Sequence, residues 1–122
     1  MSALRVGLLG CGGIGARHAG AVAALPDDME LVACCGRDAE RTRAFAEGRT
    51  AAAYTDLDAM LRQERLDLVI ATLPPYNRGG EIERVAKAGA HLLVEKPIAL
   101  NQPAADAMVA DVSATGVVAA IG

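Results

Sequence analysis

The stretch Leu4-Arg5-Val6-Gly7-Leu8-Leu9-Gly10-Cys11-Gly12-Gly13-Ile14-Gly15 decides the fold. Its first half is an apolar run of strand length that breaks directly into a G-x-G-x-x-G turn. Each glycine of such a turn has its own physical task. Gly10 allows the tight turn, Gly12 lets backbone approach a pyrophosphate, and Gly15 lets the following helix lie close on the strand. The helix opened by Gly13 and Ile14, running to Leu25, would aim its free N–H groups and positive dipole end at the phosphates. A glycine turn between strand and helix can also serve chain geometry alone. The context argues for a ligand: an amphipathic segment follows, and a second strand, Glu30 to Cys35, arrives where a βαβ unit needs it. The pattern reads as a dinucleotide-binding turn.

Beyond this unit the chain keeps alternating. Strands are expected at Leu4 to Leu9, Glu30 to Cys35, Ala51 to Tyr54, Leu68 to Thr72, His91 to Glu95 and Val117 to Ile121. Helices are expected at Gly13 to Leu25, Ala39 to Glu47, Leu57 to Arg65, Gly80 to Ala88 and Ala104 to Thr115. Pro26-Asp27-Asp28 stops the first helix, and Gly89 and Gly116 stand where helix C-terminal glycines belong. Short apolar strands joined by helices imply parallel pairing with right-handed crossovers. The expected fold class is therefore α/β: a doubly wound parallel sheet, the Rossmann fold, of strand order 3-2-1-4-5-6, with ligands at the carboxyl ends of strands 1 and 4.

The 122 residues suit one domain, 1–122, large enough for its own core. The composition is 52% hydrophobic yet only 2% aromatic, as expected of a helix-covered parallel sheet packed with aliphatics. A net charge of -3 without a basic cluster gives nothing to drive nucleic-acid binding. No apolar run reaches the roughly 18 residues of a membrane span, and Arg5 and the glycines interrupt anything resembling a signal peptide. Cys11, Cys34 and Cys35 have neither disulfide-framework nor metal-ligand spacing and read as small buried hydrophobes in a reducing cytoplasm. No metal site is indicated. The expected partners are a small dinucleotide or protein, with oligomeric state left open.

About 20 residues beyond the glycines, such folds place an acidic side chain against the adenosine ribose. Here that position reads Gly36-Arg37-Asp38, so the spacing fits while the acid is missing. A guanidinium beside a small residue suits a 2′-phosphate, which a carboxylate would repel. This favours NADP over NAD. Asp38 also serves as the N-cap of the helix from Ala39, and a solvated Arg37 is the bland alternative.

Two more segments leave carboxyl ends of strands. One is Thr72-Leu73-Pro74-Pro75-Tyr76-Asn77-Arg78, a loop stiffened by prolines that lack N–H donors. The other is Glu95-Lys96-Pro97. Lys96 is one of two lysines in the chain, the other being Lys87, and it leaves an apolar strand into the nicotinamide end of the expected cleft. A cis Lys96–Pro97 bond would direct the ammonium into that cleft; a surface Glu-Lys pair before a turn is the plain alternative.

Together these elements resemble the glucose-fructose oxidoreductase and inositol dehydrogenase family, Gfo/Idh/MocA. The resemblance rests on Val6 to Gly15, on Tyr54-Thr55-Asp56-Leu57 opening the third helix, on Thr72 to Pro75, and on Val94-Glu95-Lys96-Pro97. It implies that Lys96 lies beside the nicotinamide and the substrate hydroxyl as the catalytic residue, assisting proton and hydride transfer, while Glu95 and Pro97 shape the pocket. It also implies that Gly10, Gly12, Gly13, Ile14, Gly15, Gly36, Arg37, Thr72, Leu73, Pro74, Pro75, Asn77, Glu95, Lys96 and Pro97 contact the cofactor. The family often carries His where this chain has Arg78.

Members of that family run to more than twice this length, and their second α/β domain brings the substrate pocket, an Asp and a His. The 122 residues match the nucleotide-binding domain alone. His18 and His91 are expected to lie too far from Lys96 to stand in for that histidine. The preferred expectation is the cofactor domain of an NAD(P)-dependent oxidoreductase of sugar-like or cyclic alcohols, meeting its substrate only once a second domain is supplied and inactive alone. The alternatives are a stand-alone NAD(P)-binding module or partner subunit without turnover, and an interaction domain that binds nothing.

Overall fold

The structure, a computed structural model, describes residues 2–122. Its elements run β1 (Leu4–Leu9), α1 (Gly13–Ala23), β2 (Met29–Cys35), α2 (Ala39–Glu47), β3 (Ala52–Tyr54), α3 (Leu57–Gln63), β4 (Leu68–Ala71), a 3-10 turn (Pro75–Asn77), α4 (Glu81–Lys87), β5 (His91–Val94), α5 (Gln102–Ser113) and β6 (Ala119–Ile121). The six strands form one sheet of order β3-β2-β1-β4-β5-β6. Every pairing is parallel. The expected doubly wound topology is therefore the observed one, with β1 and β4 adjacent at the switch point.

Successive strand residues point to opposite faces, and two cores result. On one face Val6, Leu8, Cys34 and Ile70 pack under Ala19 and Val22 of α1 and Ala46 of α2. On the other, Leu9, Ala33, Cys35, Val69, Ala71, Leu92 and Val94 pack under α3, α4 and α5 through Leu57, Met60, Ile82, Val85, Met108 and Val112. Cys34 and Cys35 thus serve different cores, as neighbours in a strand must. Burying each of the larger aliphatics is worth roughly 1.5 to 3 kcal/mol. No helix among the described residues is long and apolar enough to cross a membrane.

Element ends differ from expectation where local chemistry competes. The first helix stops at Ala23, because a residue preceding Pro26 is pushed out of the helical region. The last begins at Gln102 instead of Ala104: Pro103 is tolerated in a first turn, and the Asn101 side chain accepts from the Ala104 N–H at 2.9 Å. The Pro74-Pro75 loop closes into a 3-10 turn that no periodicity announces. Gly89 and Gly116 take φ of 90° and 80°, the left-handed conformation expected of them.

Candidate functional site: a cleft at the carboxyl ends of β1, β2 and β4

The turn after β1 is held from both flanking strands. Gly10 N–H donates to Cys35 O at 2.9 Å, and the Thr72 hydroxyl donates to Leu9 O and Gly10 O, each at 3.1 Å. Gly10 sits at φ 106°, and a side chain there would run into the Thr72 hydroxyl. At Gly15 an added Cβ would collide with Gly10 O, so contact between helix and turn forbids any side chain. Gly12 and Gly13 are different: a Cβ at either would meet no protein atom within 4 Å. Gly12 has φ -91° and extended geometry that other residues adopt readily. Packing and backbone conformation therefore explain Gly10 and Gly15 but not Gly12 or Gly13, whose bareness fits close approach by a ligand.

Helices α2, α3 and α5 are capped by the side chains of Asp38, Asp56 and Asn101. Helix α1 has no side-chain cap and no acidic residue in its first turn. Its leading N–H groups face an open cleft of about 410 Å³. Of the residues expected to contact a cofactor, Gly10, Gly12, Gly13, Ile14, Gly15, Gly36, Arg37, Thr72, Leu73, Pro74 and Asn77 all line it. Pro75, Glu95, Lys96 and Pro97 do not; they lie beyond its rim on the β4 and β5 side.

At the β2 end, Gly36 is required by packing, since a Cβ would sit 2.5 Å from the buried Thr42 hydroxyl. A carboxylate-bearing residue at that position would therefore require the Thr42 side chain to give way. Asp38 caps α2 by accepting from Arg41 N–H at 2.9 Å. Arg41, in the first turn of that capped helix, lines the cleft with Arg37, giving two exposed guanidiniums on one wall. Sequence reasoning missed Arg41. It stands in the first turn of α2, just past Arg37 and the extended Asp38 cap, and only the fold brings the two side chains to the same cleft.

The cysteines divide. Cys34 and Cys35 are buried as expected, whereas Cys11 is only partly buried and lines the cleft. Its thiol lies 3.6 Å from Cys35 O. Hydrogen bonding with the Cys34 thiol, and then Thr42 and Arg49, hold Cys11 below its ordinary range against the opposing effect of burial. Burial first, and then Cys11, push Cys35 up to about 11. Iodoacetamide is therefore expected to alkylate Cys11 first, with Cys34 and Cys35 slower by more than about tenfold because a buried thiol reacts only through local opening. A dinucleotide in the cleft should slow the Cys11 reaction. Peptide mapping checks both, and equal labelling of the three thiols or no cofactor protection would contradict it.

The β4 and β5 loops are tied by Arg78. Its guanidinium donates to Leu73 O at 3.0 Å, to Glu95 O at 3.2 Å and to Ile98 O, joining both segments through three backbone carbonyls. The Lys96–Pro97 peptide is cis. Lys96 is exposed, and its side chain makes no hydrogen bond or ion pair among the described residues. Of the two histidines, His91 lies at the far end of the sheet, its Nδ1 accepting from Val118 N–H at 3.0 Å. His18, expected like His91 to lie too far from Lys96 to stand in for a catalytic histidine, reaches the residue before that lysine. Its Nε2 is 2.8 Å from Glu95 Oε2, across 77 residues of sequence. The hint was spacing: His18 follows Gly15 by three, which puts both on the side of α1 that faces the sheet.

A parallel sheet of this order with an uncapped, glycine-bared helix N-terminus at its switch point defines a dinucleotide-binding domain. A family model described as "Oxidoreductase family, NAD-binding Rossmann fold" matches residues 4–122, and the chain belongs to this Gfo/Idh/MocA family. D-apiose dehydrogenase of Paraburkholderia graminis is 40% identical over 112 residues, which cover 90% of this chain and 29% of that protein. A dTDP-3,4-didehydro-2,6-dideoxy-alpha-D-glucose 3-reductase of Streptomyces violaceoruber is 36% identical over 96 residues, covering 79% and 28%. The WlbA dehydrogenase of Bordetella pertussis, solved with NADH and UDP-GlcNAcA, superposes with a TM-score of 0.93 at 32% identity, covering 98% of this chain and 37% of that one. The chain thus spans less than a third of the length of these two curated relatives.

Proposed function

We propose that residues 1–122 form the cofactor-binding part of an oxidoreductase that moves hydride between a nicotinamide dinucleotide, NADP in preference to NAD, and a sugar-like or cyclic alcohol. The observation that carries the reading is the pair Gly12 and Gly13, bare of side chains for no reason internal to the protein, at the uncapped end of α1. That end offers N–H donors and a positive dipole to the pyrophosphate. Leu73, Pro74 and Asn77 wall the cleft opposite, and Pro75 stiffens the loop that carries them. The NADP preference is supported by Gly36, which leaves no carboxylate to repel a 2′-phosphate, and by Arg37 and Arg41, which can pair with one. The bound dinucleotide supplies or accepts the hydride. Lys96, at the end of β5, holds or takes the proton of the substrate hydroxyl at its Nζ. Glu95 and Pro97 set the loop from which it extends. The sugar substrates of the relatives support the substrate class, and further groups for binding that substrate would come from a second domain or a partner chain. Three thiols without a disulfide support a cytoplasmic setting.

Calorimetric titration tests the cofactor assignment. The chain should bind NADPH more tightly than NADH, and Arg37→Ala should weaken NADPH by about 1.5 to 3 kcal/mol, the scale of a hydrogen bond to a charged group, while leaving NADH nearly unchanged. Equal losses for both would make Arg37 a structural residue, and tighter NADH binding by the unmodified chain would remove the NADP preference. Cofactor binding with no change in nicotinamide absorbance on adding polyols or sugars would identify the isolated chain as a binding module without turnover.

A further inference from the structure

We propose that His18 is a positioning residue for Lys96: by holding the Glu95 carboxylate it keeps that group off the neighbouring ammonium. The inference rests on the role given to Lys96 under Proposed function and adds a residue that role does not include.

The backbone around Glu95 is fully committed. Glu95 N–H donates to Ala71 O at 2.9 Å, Lys96 N–H donates to Gly122 O at 3.1 Å, and Glu95 O accepts from Arg78. Only the Glu95 side chain retains a choice of partner. Three cationic or protonatable groups stand near it: Lys96 next in sequence, Arg78 from the β4 loop, and His18 from α1. Arg78 is spent on three carbonyls. His18 takes the carboxylate at 2.8 Å, both side chains being 22% exposed. The hydrogen bond from His18 first, and after it the Lys96 backbone N–H and ammonium, hold the Glu95 carboxyl below its ordinary range against the opposing effect of burial, so the acid stays an anion that needs a partner.

Without His18, the remaining uncommitted cation is Lys96. An ammonium paired with its own neighbour offers one fewer donor to a substrate hydroxyl and gives up its proton less readily. With His18 in place, Lys96 is left without a side-chain partner, as observed. His18 also rides on the helix whose N-terminus faces the cleft, so the pyrophosphate end and the lysine end are joined through one side-chain contact.

The test uses trace acetylation of the folded chain with acetic anhydride, because Lys87 and Lys96 are the two lysines and each reports separately by peptide mapping. In His18→Ala the rate at Lys96 relative to Lys87 should fall roughly two- to fivefold, the range set by an exposed ion pair. His18→Gln, whose amide can still donate to Glu95, should restore the ratio, and adding Glu95→Gln to His18→Ala should restore it as well. Both lysines are already exposed, so loss of fold is read separately from the circular dichroism of the variant, and His18→Gln then supplies the comparison. An unchanged ratio in His18→Ala, or His18→Gln slowed equally, overturns the proposal. Titration of NADPH into the same samples keeps the two readings apart. A chain that fails to bind cofactor removes the proposed function and leaves the labelling result standing, whereas an unmoved ratio with intact binding removes only the role of His18.

Discussion

Replacing Gly12 by aspartate is expected to weaken dinucleotide binding by more than about 100-fold while leaving the protein as stable as before, or slightly more so. The position has φ -91° and extended backbone, and a Cβ there meets no protein atom within 4 Å, so the fold has room for the carboxylate. As the residue preceding α1, an aspartate can accept from N–H groups of the first turn and meets the positive end of the dipole. Against glycine this is worth a few tenths of a kcal/mol for the cap and about 0.3 to 1 kcal/mol for the charge. The same carboxylate fills the space and the donors a pyrophosphate would use, and like charges set against each other cost several kcal/mol. Calorimetry with NADPH and a thermal melt measure the two effects separately. Retained binding would show that the phosphates do not sit on this turn, and a large fall in Tm would show that Gly12 serves the fold.

Gly15→Ala should do the reverse of this. Its Cβ would press on Gly10 O, and that carbonyl cannot retreat: the Thr72 hydroxyl donates to it, while the Gly10 N–H is bound to Cys35 O. The helix must tilt off β1, opening the contact between Ala19, Val22 and Leu8. Overpacking of this kind costs about 3 kcal/mol, and for a chain of this size that lowers Tm by roughly 10 °C. The Ala substitution gains helix propensity of about 1 kcal/mol, which is too little to offset it. Differential scanning of the variant without ligand measures the loss; a Tm within a few degrees of the parent would mean that the helix can shift without disturbing the core.

The contrast between these two glycines marks what a motif can and cannot say. Both are required letters of G-x-G-x-x-G, and the sequence alone assigns each a task. Only the structure separates a glycine demanded by helix packing from one that packing leaves unexplained. Gly36 makes the same point from the other side. Read in sequence, it is a missing acid and a preference for NADP; in the fold it is also a position where a Cβ would crowd the Thr42 hydroxyl at 2.5 Å, a second constraint that favours the same residue independently.

What the residues determined by themselves was local and periodic. The apolar strands, the helix between each pair, the Asp38 cap and the glycines at φ 90° and 80° all follow from chemistry within a few residues, and parallel order follows from the crossovers. The bounds of β1 and α2 needed no correction, because sharp signals sit at their ends: glycine at one, an aspartate cap at the other. What only tertiary structure decided involves residues far apart in the chain. His18 meets Glu95 across 77 positions, and Arg78 gathers carbonyls from two loops. Cys11 is exposed to the cleft while Cys34 and Cys35 are buried on opposite faces of the sheet. The physical reason is range. Backbone propensity and hydrophobic period act over one or two turns, whereas a hydrogen bond between side chains forms wherever packing brings donor and acceptor within about 3 Å, and nothing in the spacing of the letters records that meeting.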